Sequence, residues 1–353
     1  MFVYKYLIVF FTAFFSLPLV AHLPANFANL SDDVQSVILE YVFFSENAHE
    51  VWGEDFEEPS IHHLVKYLDD YHTKVNIDFS GGRIRVESER SKTPIQSLQQ
   101  AIIATLLTPA NPNSVDLYTA ADMGLTGKPF LSGLVVDQTG QAIETQWRAE
   151  RYAQYITSQH LQKRGARYWV DIPMVRSYKK RSADNFQPLV MQASQRYRVE
   201  PALIYAIMET ESSFNPFAVS PSGAYGLMQV MQATAGRDVF EKIYNKNGQP
   251  SRNYLMDPGQ NIDAGTAYIT ILRDRYLSGI THPLTLEYCV ITSYNGGSGN
   301  LLKAFHKDRQ QALARINKMS PQAVYNHIVR HHPHEESRNY LRKVINSKKN
   351  YVF

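Results

Sequence analysis

Two glutamates, Glu209 and Glu211, stand near the end of a segment that opens with Pro201 and carries Leu203, Ile204, Ile207 and Met208. Proline suits a first helical position, and apolar residues at that spacing predict an amphipathic helix. At about 100° per residue, Glu211 falls roughly 40° from Ile207, whereas Glu209 falls roughly 200° away. Glu211 therefore shares the apolar face and Glu209 opposes it. A carboxyl group among apolar neighbours is desolvated, so its ionised form is disfavoured and its pKa rises. Such an acid stays protonated near neutral pH and can give a proton to a leaving group. The structural alternative is a semi-buried glutamate paired with an arginine.

Three more blocks carry chemistry. The first runs from Ser220 through Ser222-Gly223-Ala224-Tyr225-Gly226-Leu227-Met228-Gln229. Gly223 and Gly226 allow unusual backbone geometry and close approach to a substrate, and Gln229 offers both donor and acceptor to an amide. Ser220 and Ser222 equally suit turn chemistry, and Met228 equally suits a core. The others are Ser293-Tyr294-Asn295-Gly296-Gly297 and Glu336-Ser337-Arg338-Asn339-Tyr340, where Tyr340 can be read as a core tyrosine or as a hydrogen-bond donor.

With Glu211-Ser212, these blocks in this order resemble the family 1 lytic transglycosylases, whose catalytic domain is goose-lysozyme-like. The likeness runs through nearly all of the chain after its first residues. It implies a lyase that cleaves the β-1,4 bond between N-acetylmuramic acid and N-acetylglucosamine in peptidoglycan without water, exolytically or endolytically. The products would end in 1,6-anhydro-N-acetylmuramic acid. One glutamate, here Glu211, would act as acid toward the glycosidic oxygen and then as base toward the sugar's own 6-hydroxyl. The resemblance implies catalytic roles for Tyr340 and Ser222 beside it, and substrate-binding roles for Ser220, Gly223, Met228, Gln229, Tyr294 and Asn295. It implies neither a metal nor an organic cofactor.

Two rivals stand against this reading. A hydrolytic lysozyme on the same scaffold needs a second carboxyl group roughly 5 to 9.5 Å from the first. No acid lies between Ser212 and Arg237, which leaves Asp238, Asp257 and Asp263 to fold back into the cleft. A non-catalytic wall-binding scaffold would need the cleft but not the acid. His331, His332 and His334 lack the spacing of a closed zinc site and read as solvated loop residues.

The elements that must position these groups form a two-domain chain: an α+β accessory domain at 30–175, a polar basic linker at 176–185, and a mostly α, lysozyme-like domain at 186–353. In the first, Val75, Ile77 and Phe79 alternate, Gly81-Gly82 turn, and Ile84 and Val86 alternate back, which predicts a hairpin. Thr93-Pro94 open a helix with a stripe of Ile95, Leu98, Ile102 and Leu106. A second strand pair is expected from Gly133 to Val136 and beyond, then a helix over 148–162 and a strand over 168–175. In the second domain, helices are expected over 189–198 and 201–213, and a loop over 218–226. A helix should start at Leu227, and others cover 261–277 and 288–294, with two more after that.

The 353 residues are long enough for two cores, with 44% hydrophobic and 20% charged residues. A net charge of +3 is too small to argue for nucleic acid. Residues 1–25 read as a signal peptide or N-terminal anchor, with Lys5 before an apolar run from Leu7 to Val20. The resemblance implies export to the periplasm of a Gram-negative bacterium, with outer-membrane association, and cell-wall synthesis or division proteins as partners besides peptidoglycan strands. The one cysteine, Cys289, lies deep in the second domain and reads as a core residue rather than a lipid attachment point.

Overall fold

The computed structural model describes residues 32–114 and 128–351, so the expected leader lies outside the described residues. Among the described residues, helix α1 (Asp32–Trp52) belongs to one compact unit that ends at Glu57, and those from Glu58 onward form another.

The expected hairpin is the middle of a sheet in this second unit. Strands β1 (His63–Leu68), β2 (Thr73–Asp78), β3 (Arg83–Glu89), β4 (Gln162–Arg164) and β5 (Arg167–Pro173) lie in the order β1-β2-β3-β5-β4, all antiparallel. Val75 faces Val86 and Ile77 faces Ile84 across the hairpin. The Asp78 carboxylate accepts from the amides of Ser80 at 3.0 Å and Gly81 at 2.7 Å, which closes the turn. Helices α2 (Pro94–Leu106) and α3 (Gln146–Gln159) bring Leu98, Ile102, Leu106 and Ile156 into one core with Val75, Ile84 and Val170. At roughly 25 cal/mol per Å² of apolar surface, each such side chain contributes about 2 kcal/mol.

Several local expectations are corrected. Ile95 is 46% exposed in the first turn of α2 and is not part of the buried stripe. The residues from Gly133 form no second strand pair, only isolated bridges such as Val136 with Ala142. There the Asp137 carboxylate takes the amides of Thr139 and Gln141, donors that a ladder would need. The segment expected as a solvated linker contains helix α4 (Tyr178–Asn185), with Ser182 and Ala183 buried. Strand β1 carries no signal in the sequence, because burial of Leu64, Val65, Lys66 and Tyr67 leaves no alternation to read.

The helical part surrounds its own core. Its elements begin with α5 (Gln187–Tyr197), α6 (Pro201–Ser212), β6 (Ala224–Tyr225), β7 (Val230–Met231), α7 (Arg237–Lys242), α8 (Arg252–Met256) and α9 (Pro258–Ile271). They are followed by α10 (Pro283–Gly296), α11 (Ser298–Phe305), α12 (Arg309–Asn317), α13 (Pro321–His331) and α14 (Glu335–Lys348). The expected architecture, an α+β part followed by a mostly α part, is the one found. The centre is α6, whose residues from Ala202 to Met208 are all buried. No helix starts at Leu227, because Gly226 and Gln229 have φ of 70° and 47°, outside helical geometry. A β6–β7 hairpin and a π-helical turn, Gln232–Gly236, take its place.

One side chain pins that hairpin. The fully buried Asn261, near the start of α9, donates to the carbonyls of Tyr225 and Leu255, both at 2.7 Å, and accepts from the Met228 amide at 2.8 Å. Gly226 leaves room for it, since a Cβ there would stand 2.6 Å from Asn261 Nδ2. Asn261→Leu strips three buried backbone groups of their partner at about 1–3 kcal/mol each before relaxation. We expect a loss of about 3 kcal/mol, seen as a melting temperature lower by roughly 6–12 °C in calorimetry.

Candidate active site

Glu211 occupies the last turn of α6, as the periodicity required. Its Oε1 accepts from the Tyr340 hydroxyl on α14 at 2.7 Å, and Tyr340 is only 5% exposed. Burial pushes the Glu211 carboxyl up to about 8, against the Tyr340 hydrogen bond, which favours the ionised form, and with a push from the Glu336 carboxylate. Glu209 points the other way. It accepts from Tyr351 at 3.0 Å and from Ser347, and pairs with Lys179 at 3.4 Å.

The turn after Glu211 is unusual. Ser213 and Phe214 are both left-handed, with φ of 53° and 63°, and neither is glycine. Each costs roughly 1–2 kcal/mol, so surrounding contacts must hold it. Ser212 supplies one, donating from a fully buried hydroxyl to the Leu227 carbonyl at 2.8 Å. That bond ties the end of the acid-bearing helix to the hairpin.

Glu211 opens into a cavity of about 470 Å³. Of the residues expected around it, Ser220, Ser222, Gln229, Tyr294 and Asn295 line the cavity. Ser220 and Ser222 face each other at 3.0 Å between hydroxyls, and Ser220 Oγ also accepts from the Ala224 amide at 2.9 Å. Gln229 spends its amide nitrogen on the carbonyls of Gly226 (2.9 Å) and Ala218 (3.2 Å), so its side-chain oxygen is the atom left for a ligand. Tyr294 donates to the Met228 carbonyl at 2.9 Å, and its ring meets Tyr268 edge-on at 5.6 Å between centroids.

Three expected residues do not line the cavity. Met228 is fully buried against Gly265, where a Cβ would fall 2.6 Å from its sulfur, so its side chain belongs to the core. Gly223 shapes the neighbouring loop with φ of 78°. Tyr340 stands behind Glu211 rather than in the cleft.

The cleft also holds residues to which the sequence reading gave no site role, above all Glu336, Tyr268 and Ile61. Glu336 Oε1 accepts from Asn295 Nδ2 at 2.9 Å, while Ser337 donates to Asn295 Oδ1 at 2.8 Å and fixes the amide. A signal for Glu336 existed, since it precedes Tyr340 by one helical turn and shares its face. Ile61 had none, because it comes from the segment before β1.

The aspartates weighed as a second acid are engaged elsewhere. Asp238 holds Lys242 and accepts from Tyr276 at 2.7 Å, Asp257 caps α9 through the Gln260 amide at 2.9 Å, and Asp263 accepts from Tyr197 at 2.7 Å and from Tyr244. None lines the cavity. His331 and His334 are exposed, but His332 is fully buried, which corrects its reading as solvated; Gly296 leaves room for its ring. Cys289 is fully buried, and burial pushes its thiol far up. Among the described residues, no group of three or more His, Cys, Asp or Glu could hold a metal ion.

The sequence defines the class. Residues 188–317 match the transglycosylase SLT domain, and residues 32–185 match the N-terminal domain of membrane-bound lytic murein transglycosylase C. Membrane-bound lytic murein transglycosylase C of Pectobacterium atrosepticum is 48% identical over 316 residues, covering 87% of this chain and 88% of the relative. Its namesake from Yersinia enterocolitica is 46% identical over 316 residues, covering 87% of each. The crystal structure of the 70-kDa soluble lytic transglycosylase of Escherichia coli aligns with 47% of this chain and 24% of its own, at 26% identity and a TM-score of 0.37. The chain belongs to the membrane-bound lytic murein transglycosylase C family.

The raised Glu211 pKa fixes the sign of two pH effects. Between the ordinary 4.5 and about 8, folded Glu211 keeps a proton that the unfolded chain has lost, so stability falls as pH rises through this window. Below it, both states are neutral and Glu211 contributes nothing. Glu211→Gln should therefore match the parent near about pH 4 and exceed it by on the order of 2–4 kcal/mol above the window, measured by urea denaturation. Tyr340→Phe removes a donor to the carboxylate and should move the alkaline limb of the activity profile upward. Glu336→Gln should move it downward, since a like charge is removed.

Proposed function

We propose that this protein is a peptidoglycan lytic transglycosylase that cleaves the bond between N-acetylmuramic acid and N-acetylglucosamine with Glu211 as its only acid-base group. The observation that carries the reading is a desolvated glutamic acid, bonded to a buried tyrosine, at the wall of a polar cleft. Protonated Glu211 gives its proton to the glycosidic oxygen as the bond to the muramyl carbon breaks. The resulting carboxylate then takes the proton of the 6-hydroxyl as that oxygen closes the 1,6-anhydro ring. Tyr340 supports the second step by donating to the carboxylate. Gln229 and Asn295 suit N-acetyl amides, and Ser220, Ser222 and Tyr294 supply hydroxyl and ring surface for sugars.

The substrate is the glycan strand of the cell wall, and the names of the relatives support association with the envelope. No helix among the described residues is long and apolar enough to cross a membrane. Export to the periplasm through residues 1–25 completes this reading.

Glu336 favours a second reading, hydrolysis. As a second carboxyl group in the cleft it could activate water, which the one-acid mechanism does not require.

Mass spectrometry of products from purified peptidoglycan distinguishes the two. Muropeptides lighter by one water, with anhydro ends, are expected, and Glu211→Gln should lower their release by at least about a thousandfold. Reducing ends that disappear with Glu336→Gln would replace this reading with hydrolysis. Glu211→Gln with full activity would remove the catalytic assignment altogether.

A further inference from the structure

The left-handed turn after Glu211 is held from outside the helical part as well as from within it. Immediately before β1, the Ile61 carbonyl accepts from Asn215 Nδ2 at 3.2 Å, and His62 Nδ1 lies 3.1 Å from the Ser213 hydroxyl. Asn215 in turn accepts the Phe217 amide through its Oδ1 at 3.0 Å. Phe217 is then buried in the α+β core, its ring meeting Phe130 edge-on at 5.0 Å between centroids and the Lys66 ammonium at 5.7 Å. Ile61 itself reaches the cavity wall. Besides the Ser212 tie to Leu227 and the burial of Phe214 in the helical core, the turn is gripped at Ser213, Asn215 and Phe217 by the α+β layer.

We propose that His62 is a positioning residue for the reaction. Through Ser213 it holds the left-handed turn that directs the Glu211 carboxyl toward Tyr340 and the cleft. The α+β layer then governs turnover as well as housing part of the wall. This rests on Glu211 being the acid. The imidazole suits such a role because it is half-buried, and because burial and the nearby Lys343 ammonium lower its pKa, with His63 acting in the same direction. The Ser212 backbone and the Asp78 carboxylate act oppositely and more weakly. A neutral imidazole keeps a fixed donor and a fixed acceptor, and a misdirection of the acid by about 1 Å can cost up to a hundredfold in rate.

The test uses the full chain and a soluble peptidoglycan glycan fragment, with kcat, KM and melting temperature measured for His62→Ala, His62→Asn, Ser213→Ala and the His62→Ala/Ser213→Ala pair. His62→Ala and Ser213→Ala should each lower kcat about tenfold with KM within about twofold. The double variant should be no slower than either single one, because both break the same contact. His62→Asn, whose side chain places a polar atom near the Nδ1 position, should restore kcat to within about threefold. If His62→Ala unfolds, Ser213→Ala carries the test, since it removes one half-buried hydroxyl. Unchanged kcat in Ser213→Ala, an equal loss in His62→Asn and His62→Ala, or a loss confined to KM would overturn the proposal. Glu211→Gln in parallel separates the two readings: if it is inactive while the His62 and Ser213 variants are normal, only this inference fails. If it is active, the reading beneath it fails.

Discussion

The structure depends on partly desolvating one carboxyl group without stranding it. Glu211 is half-buried at the cleft wall on the helix that forms the centre of the domain, and its hydrogen-bond partner among the described residues is a phenol that can donate to either protonation state of the acid. Desolvation raises the pKa, and the Tyr340 hydroxyl moderates that rise. The balance leaves an acid poised near neutral pH, which suits the acid-then-base role proposed for it. Removing either influence leaves a carboxyl group that gives or takes a proton well, but not both.

Much of the cleft around the acid is arranged by hydrogen bonds from side chains to the backbone of segments far apart in sequence. Ser212 ties α6 to the hairpin, Asn261 ties the hairpin to α9, and Tyr294 ties α10 to the hairpin. Each of these side chains satisfies a carbonyl or amide that a tight, glycine-bearing turn leaves without a ladder partner. The cleft wall is therefore held in place where loop residues such as Ser220, Ser222 and Gln229 meet the helices α6, α9, α10 and α14, and its polar groups face inward at fixed positions. Gln229 illustrates the consequence: its nitrogen is committed to the backbone, which leaves its oxygen directed by the fold. Rigidity of this kind favours binding a flexible sugar chain, because the protein side loses little freedom when the ligand enters.

The α+β layer enters the same logic. Phe217, two residues beyond Asn215, buries its ring among residues of the sheet and its helices rather than in the helical core. A short segment between the two cores thus belongs structurally to both, and it begins just after α6 ends. Two left-handed residues in succession are tolerated there because neighbours on both sides specify their conformation.

Periodicity alone placed Glu211 on the apolar face and Glu209 on the opposite one, and it located α6, the β2–β3 hairpin and most of α2, because these elements answer to local rules of spacing and capping. The four blocks, through the family they resemble, implied the chemistry, while periodicity supplied the desolvated acid. Only the tertiary structure decided which of those side chains reach the cleft. Met228 and Gln229 are adjacent in sequence, yet a positive φ at Gln229 sends one into the core and the other to the cavity. The helix expected at Leu227 gave way to a hairpin for the same reason. Glu336 and Ile61 join the site through long-range packing, and the three aspartates leave it because each finds a nearer partner. Burial and partner choice are properties of the whole fold, whereas spacing and residue type are properties of the chain.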